Sequence, residues 1–273
     1  PVRNIIGRVG EGPVVIVGAH YDTRRSADQE DASVPVMGAN DGASGVAVLL
    51  ELARTLEREV LQNQVWLAFF DAEDNGHLDG WDWCIGSKYM AEHLEIAPAS
   101  GSTAPEVDAV VVVDMVGDAS QQLYLERNSD ATLQARLWEI AATLGYTETF
   151  ISEYRGAMMD DHVPFAQRGI PAVDIIDFDY PYWHTTQDTP DKVSAESLER
   201  VGRVLEFWLE GKDVQAQVSK ETSFATPDLA AEVGRIRQLA VAGDLQALAD
   251  VLDRSVVHVP AGEFLMGNDA GPA

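Results

Sequence analysis

The chain has 273 residues, 46% of them hydrophobic, which is enough for one sizeable core and an appendage. Its formal net charge is −26, a surface that repels nucleic acid and anionic membranes. No run of about 18 apolar residues is there to span a bilayer.

The chain begins at Pro1 without Met or a signal peptide and reads as a piece of a longer protein. Residues 2–9 and 14–17 are β-rich runs around Gly10-Glu11-Gly12-Pro13, the pattern of a hairpin. The second run leads into His20-Tyr21-Asp22. In an extended segment, a spacing of two puts His20 and Asp22 on one face. There Asp22 could accept the second ring N–H of a ligating histidine; a satisfied core histidine is the other reading of His20. Residues 24–36 are polar and acidic, a surface loop. Gly38-Ala39-Asn40-Asp41-Gly42 precedes a helical apolar pattern over 46–56. Asp41 is either the cap of that helix or a carboxylate held between glycine turns and aimed into a site.

The chain is organised around residues 65–76. Val65-Trp66-Leu67-Ala68 is apolar without alternation, a strand buried on both faces. It runs into Asp71, Glu73 and Asp74, with little Lys or Arg nearby. Acids at the end of a buried strand are costly unless something positive neutralises them, and a metal cation does so with one group; a solvated acidic turn is the other reading. Residues 75–86 form a loop carrying Trp81 and Trp83, either an apolar wall for a ligand or ordinary loop packing. Residues 87–94 read as a short helix and 97–105 as a linker. Residues 107–113 are another doubly buried strand, ending in Asp114. A short strand over 123–125 and a helix over 131–144 come next. Asp160-Asp161-His162 opens a short helix, 169–176 returns as a strand, and Trp183-His184 lies in a polar loop. A helix over 194–209 closes the core.

Alternating buried strands and helices predict an α/β domain with a mostly parallel sheet. Ligands of such sheets bind beyond the carboxyl ends of the strands, where Asp22, Glu73, Asp74 and Asp114 all fall. Two histidines and several carboxylates, without usable cysteine, suit zinc, with cobalt or manganese as alternatives. Cys84 is the only cysteine, so no intrachain disulfide can form. His77, His93 and His258 have no partners arguable from sequence.

The succession His20-Tyr-Asp22, Asn40-Asp41-Gly42, Asp71-Ala-Glu73-Asp74, Asp114-Met-Val-Gly117, Asp161-His162-x-Pro-Phe165 and His184-Thr-x-x-Asp188-Thr resembles metallopeptidase family twenty-eight over roughly residues 4–210. That family holds di-zinc aminopeptidases and the animal-type glutaminyl-peptide cyclotransferases. The resemblance implies a three-layer α/β/α sandwich of the zinc-exopeptidase type. It implies Asp41, Asp74 and His184 as a zinc site and Glu73 as general acid/base. Asp22 and Asp161 would support the ligands. In di-zinc members, the residues matching His20 and Asp114 hold a second zinc bridged by the one matching Asp41. It also implies a secreted or periplasmic enzyme acting on peptides with a free amino terminus.

Three departures from the aminopeptidase pattern lean toward the cyclotransferases: Trp183 before His184, Asp160 before Asp161-His162, and the Trp81/Trp83 loop. On that branch Asp160 pairs with Asp114 around one shared proton, one zinc is expected, and Trp81, Trp83 and Trp183 enclose the substrate side chain. An aminopeptidase with two zinc ions, or an inactive binding relative, remains as the alternative. This reading divides the chain into a catalytic domain over 1–212, a helical linker over 213–252 and the start of a second domain over 253–273. Residues 257–267 are similar to the opening of formylglycine-generating (sulfatase-modifying) domains, and no activity is carried over from so short a stretch.

Overall fold

A computed structural model describes residues 2–28, 34–94 and 106–211, all within one compact unit. The expected linker over 97–105, the helical stretch over 213–252 and the segment over 253–273 lie outside the described residues.

The chain forms strands β1 (Ile5–Val9), β2 (Val14–His20), β3 (Gln64–Phe70), β4 (Val107–Asp114), β5 (Leu123–Leu125), β6 (Phe150–Tyr154) and β7 (Ala172–Ile176). Five of them make the central sheet, in the order β1-β3-β2-β4-β7. All neighbours are parallel except β1, which runs antiparallel to β3. Strand β2 is buried at every position, and β3 and β4 nearly so, as their unbroken apolar runs require. Strands β5 and β6 stand apart as a short parallel pair. Strand β6 is not predicted by the sequence. Its residues FISEY are mostly exposed, so it lacks an apolar run to announce it.

The expected hairpin between β1 and β2 does not form. Strand β3 inserts between them, and Gln64 N–H donates to the Pro13 carbonyl at the turn. Burial gives the reason. Of β1 only Ile6 and Val9 are buried and Ile5 is exposed, a strand suited to an edge. The fully apolar β2 needs a neighbour on each side.

Helices cover both faces. Helix α2 (Ile85–Glu92) and the short α4 (Val163–Ala166) close one face, where Met90, Ala91 and Phe165 pack on Ile16, Trp66, Phe70, Val110 and Val112. On the other face lie α1 (Ala43–Thr55), α5 (Ala195–Leu209) against it, and α3 (Ala131–Thr143) against α5. This is the expected three-layer α/β/α arrangement. Gly45 lets α1 sit directly on the sheet, since a Cβ there would lie 2.3 Å from the Val113 carbonyl oxygen and 2.8 Å from Ala19 Cβ. No helix among the described residues is long and apolar enough to cross a membrane.

Candidate metal centre and active site

The parallel strands β2, β3 and β4 deliver His20, the Glu73–Asp74 pair and Asp114 to one end of the sheet. Asp41 arrives on the turn before α1, and His184 on the loop after β7. Four non-glycine residues here hold left-handed backbone: Ala72 before Glu73, Cys84 against Glu73, Met115 after Asp114, and His184 itself. Each such residue stores on the order of 1 kcal/mol or more of strain, which the surrounding fold must hold.

Asp41 is the hub. Its Oδ1 lies 3.2 Å from His20 Nε2, and its Oδ2 lies 3.7 Å from His184 Nε2. His20 Nε2 is also 3.0 Å from Asp114 Oδ1, and His184 Nε2 is 2.7 Å from Asp74 Oδ1. Two buried triads result, Asp41–Asp74–His184 and His20–Asp41–Asp114, each with one atom per residue mutually within 4.8 Å. Asp41 does not cap α1: the cap position is Gly42, and no side-chain bond closes it.

The donor set fits a divalent cation. Oδ2 of Asp41 and Oδ2 of Asp74 are buried with no hydrogen-bond partner. Burial, then the charge of Asp41, pushes Asp74 up to about 7. Burial pushes Glu73 well above the usual carboxylate range, with Asp160 and Asp161 adding to it against the pull of His20. Carboxylates so placed are relieved by a cation. Their oxygen and imidazole donors suit zinc.

The supporting contacts differ in detail from expectation. Asp22 does not take the ring N–H of His20; the Asp22 backbone carbonyl stands 3.0 Å from His20 Nδ1 instead. The Asp22 carboxylate accepts the N–H of Glu73 at 2.9 Å, the N–H of Asp74 at 3.2 Å and the Asn75 side-chain amide at 3.1 Å. It fixes the loop that carries both acids. Asp161 accepts the hydroxyl of Ser87 and so ties its loop to α2.

Asp114 and Asp160 share no hydrogen bond among the described residues. The partner of Asp114 is His20, and Asp160 feels Asp114 through charge, which adds to burial in raising its pKa. Strand β7 also brings Asp174 against Asp160, and Asp174 is itself held well above its usual range by burial and by the charges of Asp160, Asp114 and Glu126. His162 lies between Glu126, at 3.2 Å, and Asp174, at 3.9 Å. A charged residue in the middle of the fully buried strand β7 was the available signal for this second polar cluster.

Of the tryptophans, Trp183 stacks on His184 with centroids 3.9 Å apart, and Trp83 lies parallel to the same ring at 5.9 Å. Trp81 is exposed and makes no ring contact with the site among the described residues.

Sequence reasoning missed three supports. Residues 24–28 are not simply a surface loop. Arg24 is buried, donates to the carbonyls of Asp74 and Gly76, and stacks over Trp83. It also binds Asp28, whose Oδ2 meets His184 Nδ1 at 2.8 Å. Asp188, fully buried, accepts the N–H groups of Asn40 and Asp41 and the Tyr180 hydroxyl, and so sets the turn that aims Asp41. Asp188 stands in the quoted motif, but nothing in its spacing revealed that partner.

Residues 4–209 match the family described as Peptidase family M28. Bovine glutaminyl-peptide cyclotransferase is 26% identical over 225 residues, 71% of this chain and 61% of that protein. The chain thus spans about three fifths of the curated relatives it matches. The crystal structure of Porphyromonas gingivalis glutaminyl cyclase superposes with a TM-score of 0.67 at 32% identity, covering 77% of this chain and 78% of that one. A Zn-dependent exopeptidase from Parabacteroides distasonis gives a TM-score of 0.68 at 30% identity, covering 77% of this chain and 78% of that one. The zinc named for that exopeptidase is a metal that the donor set of this chain also suits. With both the fold and the match over residues 4–209, the chain belongs to peptidase family M28.

Proposed function

We propose that this chain cyclises amino-terminal glutamine of peptides to pyroglutamate with loss of ammonia. The observation that carries the reading is that Trp183 stacks on the ring of the ligand His184 and Trp83 lies parallel to the same ring. Aromatic surface beside the triad suits packing against a small substrate side chain. The likeness to glutaminyl cyclases supports it.

Asp41, Asp74 and His184 would hold one zinc, since the orphaned oxygens Asp41 Oδ2 and Asp74 Oδ2 both belong to that triad. Bound there, zinc supplies Lewis-acid polarisation of the γ-carboxamide. Glu73 takes a proton from the attacking α-amine and delivers one to the departing ammonia. A carboxyl raised above its usual range is suited to both transfers. Asp160 steadies the amide nitrogen. The surrounding acids favour a substrate with a free amino terminus, which attacks as the neutral amine. Trp183 and Trp83 exclude water from the reacting groups.

A second reading is supported by one observation, the two triads that share Asp41. They suit two zinc ions and hydrolysis of the first peptide bond, with Glu73 as the base that activates water. The test is to incubate zinc-loaded protein with glutaminyl peptides and with leucine amides and weigh the products. Loss of ammonia from an intact peptide supports cyclisation. Release of a free amino acid or of leucine overturns it in favour of the peptidase.

A further inference from the structure

Cys84 is a nucleophilic group at the site that the reaction above leaves unused. It caps the start of α2, and its backbone N–H donates to the Glu73 carbonyl at 3.0 Å. Its Sγ lies 3.4 Å from Glu73 Oε1. Glu73, Cys84 and Asp160 each offer one atom to a buried cluster whose members all lie within 4.8 Å of one another. Asp160 is only 4% exposed, and its Oδ2 is buried with no hydrogen-bond partner. Its Oδ1 is taken by the Asp161 N–H. A thiol and two buried carboxylates, one of them with an oxygen that no N–H reaches, therefore converge. Tetrahedral coordination at metal–sulfur and metal–oxygen bonds of about 2.3 and 2.1 Å sets ligand atoms roughly 3.5 Å apart, a small contraction of this cluster.

We propose that Glu73, Cys84 and Asp160 form a separate site for a soft divalent cation, cadmium or zinc in excess, and that filling it stops turnover by occupying the Glu73 carboxylate. No residue is common to this cluster and the Asp41–Asp74–His184 triad. The thiolate selects softer cations, while the all-nitrogen-and-oxygen triad lacks that preference. On binding, a metal–sulfur bond forms and the thiol proton leaves to solvent. Burial first, then the charges of Asp161 and Glu73, hold the free thiol far above its ordinary range. Without a cation the sulfur therefore stays protonated, and binding tightens as pH rises. The metal site stands on the cluster alone; its effect on turnover rests on the role proposed for Glu73.

The experiment titrates the zinc-loaded chain with cadmium chloride. It tracks the ultraviolet charge-transfer band of a cadmium–thiolate bond, the zinc retained and the turnover. The expected result is one cadmium–sulfur bond per chain with zinc still bound, and turnover lost in step with the band. Cys84→Ser should lose the band and need about tenfold more cadmium, or beyond, for the same inhibition. Asp160→Asn keeps the sulfur and should shift the band's midpoint to about tenfold higher cadmium, which guards against misfolding of the serine variant. Absence of the band in the native chain, or an unshifted midpoint in Asp160→Asn, overturns the site. A band that saturates while turnover persists overturns the block. If zinc-loaded protein turns over neither substrate, the proposed function fails, while the band still decides the site.

Discussion

The carboxylate of Asp28 lies 2.8 Å from Nδ1 of His184, across 156 positions of chain. The other nitrogen of that ring meets Asp74 at 2.7 Å. Asp28 therefore selects the tautomer that leaves Nε2 free to ligate, and it is itself held by Arg24. Asp28→Ala should weaken zinc binding by about 10- to 100-fold while leaving the fold intact, because outer partners of ligating histidines carry effects of that size. Competition for zinc with a chelator of known affinity measures it. An unchanged zinc affinity would show that Asp28 only decorates the surface of the loop.

Glu73 and Asp74 are adjacent, yet they face different tasks. Asp74 meets His184, whereas Glu73 lies with Cys84 and Asp160. Glu73→Gln should keep its zinc and lose about 10²- to 10⁴-fold in turnover, the usual contribution of a positioned acid or base. Metal analysis and initial rates on the same sample separate the two effects. Near-normal turnover with zinc bound removes Glu73 from the mechanism.

The layers of the fold and the end of the sheet that carries the site were legible because they rest on unbroken apolar runs. Strands β2, β3 and β4 announce themselves, and His20, the Glu73–Asp74 pair and Asp114 must then lie at their carboxyl ends. Strand order was not legible, because β1 and β2 look alike locally and only the burial of β2 on both sides decides which is central. Likewise, Asp41, Asp74 and His184 could be named from motif residues that the fold then brings together. Asp28 and Asp188 could not, since their value lies in one contact to a distant partner. The contacts of His20 with Asp114 and of Asp174 with Asp160 were hidden for the same reason: no spacing in the chain encodes them.

Asp177 stands just after β7 and is almost wholly buried. It accepts the N–H groups of Gln122, at 2.8 Å, and Asp179, at 3.2 Å. Burial nevertheless dominates and lifts its pKa from 3.8 to about 7, helped by the charge of Asp118. The fold thus prefers the protonated acid. Its contribution to stability is fully present below the unfolded value and is lost as pH rises through the folded one, between 3.8 and about 7. Asp177→Asn should remove that part of the slope and gain roughly 1–3 kcal/mol over the native chain near neutral pH, with little gain at pH 4. Denaturant melts of both proteins across this range measure it. Parallel slopes would mean that Asp177 ionises as freely in the fold as in the unfolded chain.

The number of zinc ions decides between the two catalytic readings, and the triads make unequal claims. Asp41 is common to both, so the difference lies in what else each contains. In the triad of Asp74 and His184, two carboxylate oxygens, Asp41 Oδ2 and Asp74 Oδ2, are buried without partners, the condition a cation relieves. In the triad of His20 and Asp114, the remaining oxygen Asp41 Oδ1 already stands 3.2 Å from His20, and His20 bonds Asp114 at 3.0 Å. Protein loaded with excess zinc and desalted should therefore retain one zinc per chain. Asp74→Asn should lose it, and Asp114→Asn should keep it. Two firmly held zinc ions, one of them lost in Asp114→Asn, would mean that the His20–Asp114 bond yields to metal. The shared carboxylate of Asp41 would then bridge the ions, and the site would belong to the peptidase reading.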